Sequence, residues 1–149
     1  MAHTFTCLFT HLIFSTKNRN GLLRPEIRPR LFDYMGGMIR KMNGKSALIN
    51  GVEDHLHILA ILPTTMALSD FMRDLKGDLS VWAKEAFDIR DFAWQTGYAA
   101  FSVSKSGVEA VRAYIAGQEE HHRRITFQEE YLEFLKRHEI EYDERFVFD

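Results

Sequence analysis

Hydrophobic positions in the first third of the chain follow two different periods. Residues 4–15 are rich in β-forming side chains and precede a polar stretch at 17–21, a pattern that predicts a strand. The next segment has apolar residues three or four positions apart, which predicts a helix with Pro25 or Pro29 near its first turn and Asn43-Gly44 at its end. Its apolar positions are Ile27, Leu31, Met35, Met38 and Met42.

The middle of the chain predicts two more strands, at 45–53 and 55–62, separated by a tight connection at Glu53-Asp54. The second of these strands is apolar on both faces, which is typical of a central strand of a sheet. Apolar residues at helical spacing then predict a helix over 68–86, and the segment 98–103 predicts a fourth strand.

Two helices are expected near the C-terminus, each opened by a capping box. Ser106 stands three residues before Glu109, and Thr126 stands three residues before Glu129. Beyond them, alternating apolar residues from Ile140 to Phe148 predict an extended tail laid on the body of the protein. The order β-α-β-β-α-β predicts an α+β, ferredoxin-like antiparallel sheet with helices on one face, followed by C-terminal helices.

Composition narrows the class of protein. The chain has 149 residues, of which 46% are hydrophobic and 27% charged, and it shows no repeat or linker, so we expect a single domain over 1–149. Cys7 is the only cysteine, which excludes an intramolecular disulfide and a cysteine-based zinc site. The longest aliphatic run, 58–62, is too short to cross a bilayer, and no secretory signal pattern opens the chain, so a cytoplasmic location is expected.

Charge is distributed unevenly along the chain. The net charge is −2, yet residues 1–50 carry eight Lys and Arg against only Glu26 and Asp33. This asymmetry favours a basic face for phosphate groups, with a solvated mixed-charge surface as the alternative. Candidate DNA-binding residues are Lys17 and Arg19 after the first strand, and Arg73, Lys76 and Ser80, predicted with Gly77 on the polar face of the 68–86 helix.

His55-Leu56-His57 is the first candidate for chemistry. Alternate residues of a strand point to the same face, so the two imidazoles could hold one divalent cation between them. The alternative is a pair of ordinary histidines at the start of a core strand.

Tyr114 and Gln118 are the second candidate. They stand four apart on the helix predicted after Ser106 and are therefore neighbours on one face, in a row that continues to His122. The alternative is a packed tyrosine beside an exposed glutamine. The pair His121-His122 is interpreted as charged helix surface, with His122 as a reserve ligand only. No phosphate-binding loop or dinucleotide fingerprint is present, so no nucleotide cofactor is expected.

Several segments, taken together and in order, resemble the single-tyrosine HUH transposases of small bacterial insertion sequences, including their palindrome-associated relatives. In this family two histidines flank a hydrophobic residue, as His55-Leu56-His57 does. The matching segments are Thr10–Arg19, Gly51–Ala60, Leu75–Gly77, Trp94–Ser104, Tyr114–His122 and Glu141–Arg145. Asn18 departs from the family pattern, in which an aromatic residue often follows the lysine.

The resemblance implies a set of roles. His55 and His57 would hold Mg²⁺ or Mn²⁺, with the Gln118 amide oxygen as the third protein ligand. Tyr114 would attack a DNA phosphate, giving a 5′-phosphotyrosine and a free 3′-hydroxyl that can later rejoin strands. The substrate would be single-stranded DNA with hairpin ends. The enzyme would be a homodimer, in which the tyrosine of one chain can meet the histidines of the other.

Two alternative functions remain. One is a metal-dependent phosphodiesterase that uses the same histidines with water as the nucleophile. The other is a non-catalytic nucleic-acid-binding module, since ferredoxin-like sheets often bind RNA through exposed aromatic residues. The strand at 55–62 argues against the second alternative, because its apolar faces leave little room for a stacking platform.

Overall fold

The sheet of the protein has four antiparallel strands in the spatial order β2-β3-β1-β4. A computed structural model describes residues 3–149. The strands are β1 (Phe9–Ser15), β2 (Lys45–Gly51), β3 (His55–Ile61) and β4 (Ala99–Val103). The predicted ferredoxin-like order is therefore confirmed, and β3 is a central strand because it pairs with β2 on one side and with β1 on the other.

Five helices accompany the sheet in residues 3–149. They are α1 (Arg28–Lys41), α2 (Leu68–Ala86), α3 (Val108–Ala116), α4 (Gln118–His121) and α5 (Phe127–Arg137). The first two match the predicted helices closely, with Pro29 in the first turn of α1. Within the same range, no helix combines the length and the apolar character needed to cross a membrane.

The period of two along each strand divides the protein into two layers. Leu12 and Phe14 of β1 and Leu56 and Ile58 of β3 point to the face that α1 and α2 cover. The alternate residues of the strands point to the opposite face, where the C-terminal helices pack; the buried apolar ones are Ile13, Leu59, Ala99 and Phe101. Both faces of the sheet are thus covered by helices, and His55 and His57 share the second face with Leu59.

Strand β1 is shorter than predicted. The expected strand began at residue 4, whereas β1 begins at Phe9, which pairs with Ile61 at the end of β3. Pro63 follows two residues later and has no backbone N–H to offer to a partner strand. Residues 4–8 therefore have no continuing strand to pair with and lie exposed.

The C-terminal region differs from the prediction in two places. The capping box at Ser106 is wrong: α3 begins at Val108 with no side-chain cap, and Ser106 lies in a 3₁₀ turn where its Oγ is 3.0 Å from Ser104 Oγ. The predicted extended tail is also wrong, because residues 144–148 form turns. Tyr142 and Phe148 pack on the core of α5, while Ile140 and Phe146 are exposed.

Thr126, by contrast, caps α5 as predicted: its Oγ1 accepts from the Glu129 backbone N–H at 3.2 Å, and the Glu129 side chain reaches back. We expect Thr126→Ala to lower the free energy of unfolding by about 1 kcal/mol, because an orphan N–H of the helix start loses its acceptor. Ser106→Ala is the matched control and should change it by less than about 0.5 kcal/mol. Urea denaturation of both variants measures this, and equal losses would contradict the assignment of the caps.

Candidate active site

Strand β3 buries the imidazoles of His55 and His57 side by side beneath the C-terminal helices; neither residue has measurable exposure. The Nδ1 of His55 donates to the Asp54 carboxylate at 2.8 Å. The Nδ1 of His57 is 2.7 Å from Nε2 of His11 on the neighbouring strand β1. Both rings are therefore held through Nδ1, which leaves each Nε2 directed toward a common point.

Glu130, in the first turns of α5, supplies a carboxylate at that point. Its Oε1 lies 2.8 Å from His57 Nε2 and 3.3 Å from His55 Nε2, and the residue is only 1% exposed. The sequence analysis did not select Glu130. A signal was present, because Glu130 interrupts the apolar stripe that Phe127, Tyr131 and Phe134 form along α5.

His122, kept only as a reserve ligand in the sequence analysis, lies inside the same cluster. Its Nε2 is 2.9 Å from His55 Nε2 and 3.1 Å from Glu130 Oε1. Its Nδ1 donates to the Ile125 carbonyl oxygen at 2.9 Å. The interpretation of His121-His122 as charged helix surface is therefore wrong for His122, whose side chain is only 8% exposed.

The cluster fits a divalent cation. His55, His57, His122 and Glu130 each offer one ligand atom, and these four atoms lie within 4.8 Å of one another. Imidazole nitrogen and carboxylate oxygen are the ligand types that zinc and other first-row divalent metals accept in proteins.

Tyr114 and Gln118 reach the cluster from α3 and α4. The Tyr114 hydroxyl donates a short hydrogen bond to Glu130 Oε2 and lies 3.0 Å from His121 Nε2. Gln118 is buried, with its Oε1 3.3 Å from His55 Nε2 and its Nε2 donating to Glu130 Oε2 at 3.2 Å. One chain thus brings together all four residues that the sequence analysis selected for chemistry, and Tyr114 reaches the cluster through Glu130.

Burial and charge set the protonation of the cluster. Burial lowers the pKa of His57 to about 4 and, with His57 as neighbour, the pKa of His11 to about 3. Burial alone would also lower the pKa of His55, but the carboxylates of Asp54 and Glu130 outweigh it and raise that pKa. Burial beside the Glu130 carboxylate raises the pKa of Tyr114 well above its usual value, so the phenol keeps its proton in the resting protein.

Glu130 carries its charge despite burial. Desolvation would raise the pKa of this carboxyl, but hydrogen bonds from His122, His55 and His57 outweigh that effect and hold it far below its usual range.

The candidate DNA-binding residues fall into two separate places. Arg19 lines a concavity of about 450 Å³ at the edge of the cluster, together with Asp54, His122 and Arg124. Lys17, next to it in the chain, is exposed. Arg73 and Ser80 line another concavity, of about 460 Å³, beside Trp94 and Tyr98.

The expectation that Lys76 faces solvent on the polar side of α2 is wrong. Lys76 is 9% exposed, and its ammonium donates to the backbone carbonyls of Gln95, Thr96 and Gly97 at 2.7, 3.1 and 2.7 Å. Burial lowers its pKa to about 8, so it still donates at neutral pH. The ammonium group has three protons, and each is donated to one of these carbonyls. Lys76 therefore links the segment before β4 to α2.

Comparisons with known proteins agree on one family. The sequence profile of the family described as IS200-like transposases matches residues 4–118. The transposase of insertion sequence element IS200 from Salmonella typhimurium strain LT2 is 31% identical over 129 residues, covering 79% of this chain and 81% of that protein. The IS200 transposase of Salmonella typhi matches to the same extent.

Two solved structures share the fold. A candidate transposase from Deinococcus radiodurans R1 superposes with a TM-score of 0.63 at 22% identity, covering 79% of this chain and 96% of that one. A REP-associated tyrosine transposase bound to a REP hairpin superposes with a TM-score of 0.52 at 14% identity, covering 77% of this chain and 68% of that one.

The buried histidines predict an acid-sensitive metal-free protein. Between pH 6.5 and about 4, His57 and His11 bind protons in the unfolded chain but not in the folded one, so stability falls as the pH drops through this range. His55, whose pKa is raised, acts in the opposite direction. We expect His11→Gln, which keeps a hydrogen-bonding group but cannot titrate, to lose less stability than the wild type over this range.

Urea titrations in a chelator at several pH values measure this difference. His3→Gln, which changes an exposed histidine near the start of the chain, is the matched control and should follow the wild type. A His11→Gln curve parallel to that of the wild type would contradict the assignment of a buried, neutral His11.

Proposed function

This chain belongs to the family of IS200-like transposases, and from that premise we propose that it cuts and rejoins single-stranded DNA with Tyr114 as the nucleophile. The observation that carries the proposal is the contact of the Tyr114 hydroxyl with Glu130, whose other oxygen faces the histidine cluster. This contact puts a potential nucleophile and a potential cation site within one buried cluster.

The proposed cleavage is a phosphoryl transfer to tyrosine. The phenolic oxygen of Tyr114 loses its proton and forms a bond to phosphorus, while the bond from phosphorus to the 3′ oxygen of the preceding nucleotide breaks. The leaving oxygen takes up a proton, giving a free 3′-hydroxyl and a 5′-phosphotyrosine. Because the new phosphodiester conserves the energy of the old one, a 3′-hydroxyl can reverse the step and join strands without ATP.

The resemblance to the family supplies the proposed ligands of a divalent cation, Mg²⁺ or Mn²⁺. They are His55, His57 and the amide oxygen of Gln118, and the buried, Nδ1-anchored imidazoles support the first two. When bound, the cation would polarise the phosphoryl group and offset the charge that develops on its oxygens.

We propose single-stranded DNA with hairpin ends as the substrate, supported by the REP hairpin bound to one of the structural relatives. Arg19 and Lys17 would contact backbone phosphates near the cluster, and Arg73 and Ser80 would do so at the concavity beside Trp94. Lys76 would act there only by positioning, because its ammonium is already bonded to three carbonyls.

We further propose that residues 1–149 act as one transposase domain and that the active enzyme is a homodimer. The argument for a dimer is chemical: one tyrosine per chain cuts one strand, whereas a mobile element has two ends.

The central test is Tyr114→Phe. We expect it to abolish both cleavage of a hairpin-ended single-stranded DNA and the covalent DNA–protein adduct, because the attacking oxygen is removed. Tyr34→Phe, which changes an exposed tyrosine on α1, is the matched control and should retain both. Denaturing gels with labelled DNA measure the two products. Cleavage without adduct in Tyr114→Phe would favour the water-using phosphodiesterase, and DNA binding without any cleavage by the wild type would favour the non-catalytic module.

A second prediction concerns which chain supplies the tyrosine. Because Tyr114 contacts Glu130, which in turn contacts His57 of the same chain, mixing Tyr114→Phe with His57→Ala should not restore cleavage: each chain lacks half of its own site. A mixture of wild type and His57→Ala, unfolded and refolded together, is the control for subunit exchange. Cleavage recovered by the two defective variants would instead show that the tyrosine acts on the partner's histidines.

A further inference from the structure

We propose that His122 and Glu130 are direct ligands of the cation in addition to His55 and His57, so that the site has three histidines and one carboxylate, and that the amide N–H of Gln118 positions Glu130. The inference rests on the proposed function, because it concerns the same cation. It changes the ligand set implied by the family resemblance, which contains neither His122 nor Glu130.

The hydrogen bonds at Nδ1 fix the roles of the facing nitrogens. His55 Nδ1 meets a carboxylate oxygen and His122 Nδ1 meets a carbonyl oxygen; both are acceptors, so each Nδ1 carries the proton. When neither ring carries a second proton, both Nε2 atoms present lone pairs, and these atoms are only 2.9 Å apart. Two lone pairs at that distance repel each other unless a positive charge lies between them. Either a metal ion or a proton can provide that charge.

Glu130 adds a third and negatively charged acceptor to the same point. Its Oε1 lies 3.1 Å from His122 Nε2, 3.3 Å from His55 Nε2 and 2.8 Å from His57 Nε2. Ligand atoms bound to one metal at about 2.0–2.1 Å are separated by roughly 2.8–3.4 Å along the edges of an octahedron or a tetrahedron. The separations of Glu130 Oε1 from the three nitrogens, and of His55 Nε2 from His122 Nε2, are therefore close to those found within a coordination sphere.

The surroundings hold the ligands in this arrangement. Asp54, His11 and the Ile125 carbonyl each occupy one Nδ1, which is the outer-shell contact typical of metal-bound histidines. These partners come from three different parts of the chain, so the orientation of the rings is a property of the fold and not of one local turn.

Gln118 contacts both His55 and Glu130 in this arrangement, because its Oε1 also lies 3.3 Å from His55 Nε2. Its amide Nε2 donates to Glu130 Oε2, the oxygen that also accepts from the Tyr114 hydroxyl. Glu130 therefore presents Oε1 to the cation site and Oε2 to the nucleophile and to Gln118. One carboxylate would tie the metal to the tyrosine, and Gln118 would hold that carboxylate in place.

The ligand set determines the class of metal. Three imidazoles and one carboxylate favour Zn²⁺, Co²⁺ or Mn²⁺, whereas Mg²⁺ prefers oxygen ligands and retains several waters. We therefore expect a borderline transition metal to bind in the free protein, and Mg²⁺ to compete for the site only weakly.

Cobalt binding to the full chain, followed by visible absorption and by calorimetry after treatment with a chelator, tests the inference without DNA cleavage. We expect Glu130→Gln and His122→Phe each to weaken Co²⁺ binding by roughly tenfold or more, at least the loss seen when an outer-shell partner is removed. Gln118→Leu is measured alongside them, because Gln118 belongs to the ligand set that the resemblance implies. Glu133→Gln and His138→Phe are matched controls on the exposed part of α5 and beyond its end, and should bind as the wild type does.

The outcomes separate this inference from the proposed function. If Glu130→Gln and His122→Phe bind Co²⁺ like the wild type while Gln118→Leu loses it, the inference fails and the implied His55, His57 and Gln118 set stands. If the wild type binds neither Co²⁺, Mn²⁺ nor Mg²⁺, protons alone occupy the cluster, and both the inference and the proposed metal dependence fail.

A measurement on the wild type covers the case in which a variant does not fold. X-ray absorption of the zinc-loaded protein counts bound imidazoles through their multiple-scattering signal. Three imidazoles support the inference and two overturn it.

Discussion

The C-terminal half of this protein depends on one buried charge, the carboxylate of Glu130. A carboxylate removed from water is costly unless partners compensate it, and here they come from every neighbouring element. Strand β3 supplies His55 and His57, the residues following α4 supply His122, and α3 supplies the Tyr114 hydroxyl. Helices α3, α4 and α5 are therefore held against the sheet by the same interactions that assemble the candidate active site.

The sheet makes that arrangement possible through its alternation. In β3, Leu56 and Ile58 enter the core beneath α1 and α2, and the residues between them must then point to the other face. The same holds in β1, where Leu12 and Phe14 enter that core while His11 points toward His57. A shift of one residue in the register would exchange the two sets, burying the imidazoles among aliphatic side chains. The apolar core thus specifies the orientation of the histidines without touching them.

The features that depend on local spacing could be predicted from the sequence. The order of elements, the central position of β3 and the proximity of Tyr114 to Gln118 follow from periods of two and of about 3.6 residues. Glu130 and His11 could not be assigned to the site in this way, because their contacts with His57 span 73 and 46 residues. The prediction for Lys76 was wrong for a similar reason. Its position in the helical pattern is polar, but its ammonium bonds to backbone carbonyls of residues 95–97, about 20 positions further along the chain. The sequence does contain one indication of such a long-range partner: a charged residue within the apolar stripe of a helix, as at Glu130.

His122 shows how a break in a helix changes what a sequence pattern means. In a continuous helix, residues four apart drift by about 40° per step, so Tyr114 and His122 would diverge by about 80° and lie about 12 Å apart along the axis. The chain instead interrupts the helix at Gly117, between α3 and α4. A side chain there would meet only ordinary contacts with Ala113 and Tyr114, so glycine contributes by weakening the helix and not by providing space. Because the helix is interrupted, the angular divergence of a continuous helix does not apply, and Tyr114 and His122 contact the two different oxygens of the Glu130 carboxylate. The break therefore converts a row of neighbours on a helix surface into groups that converge on a single point.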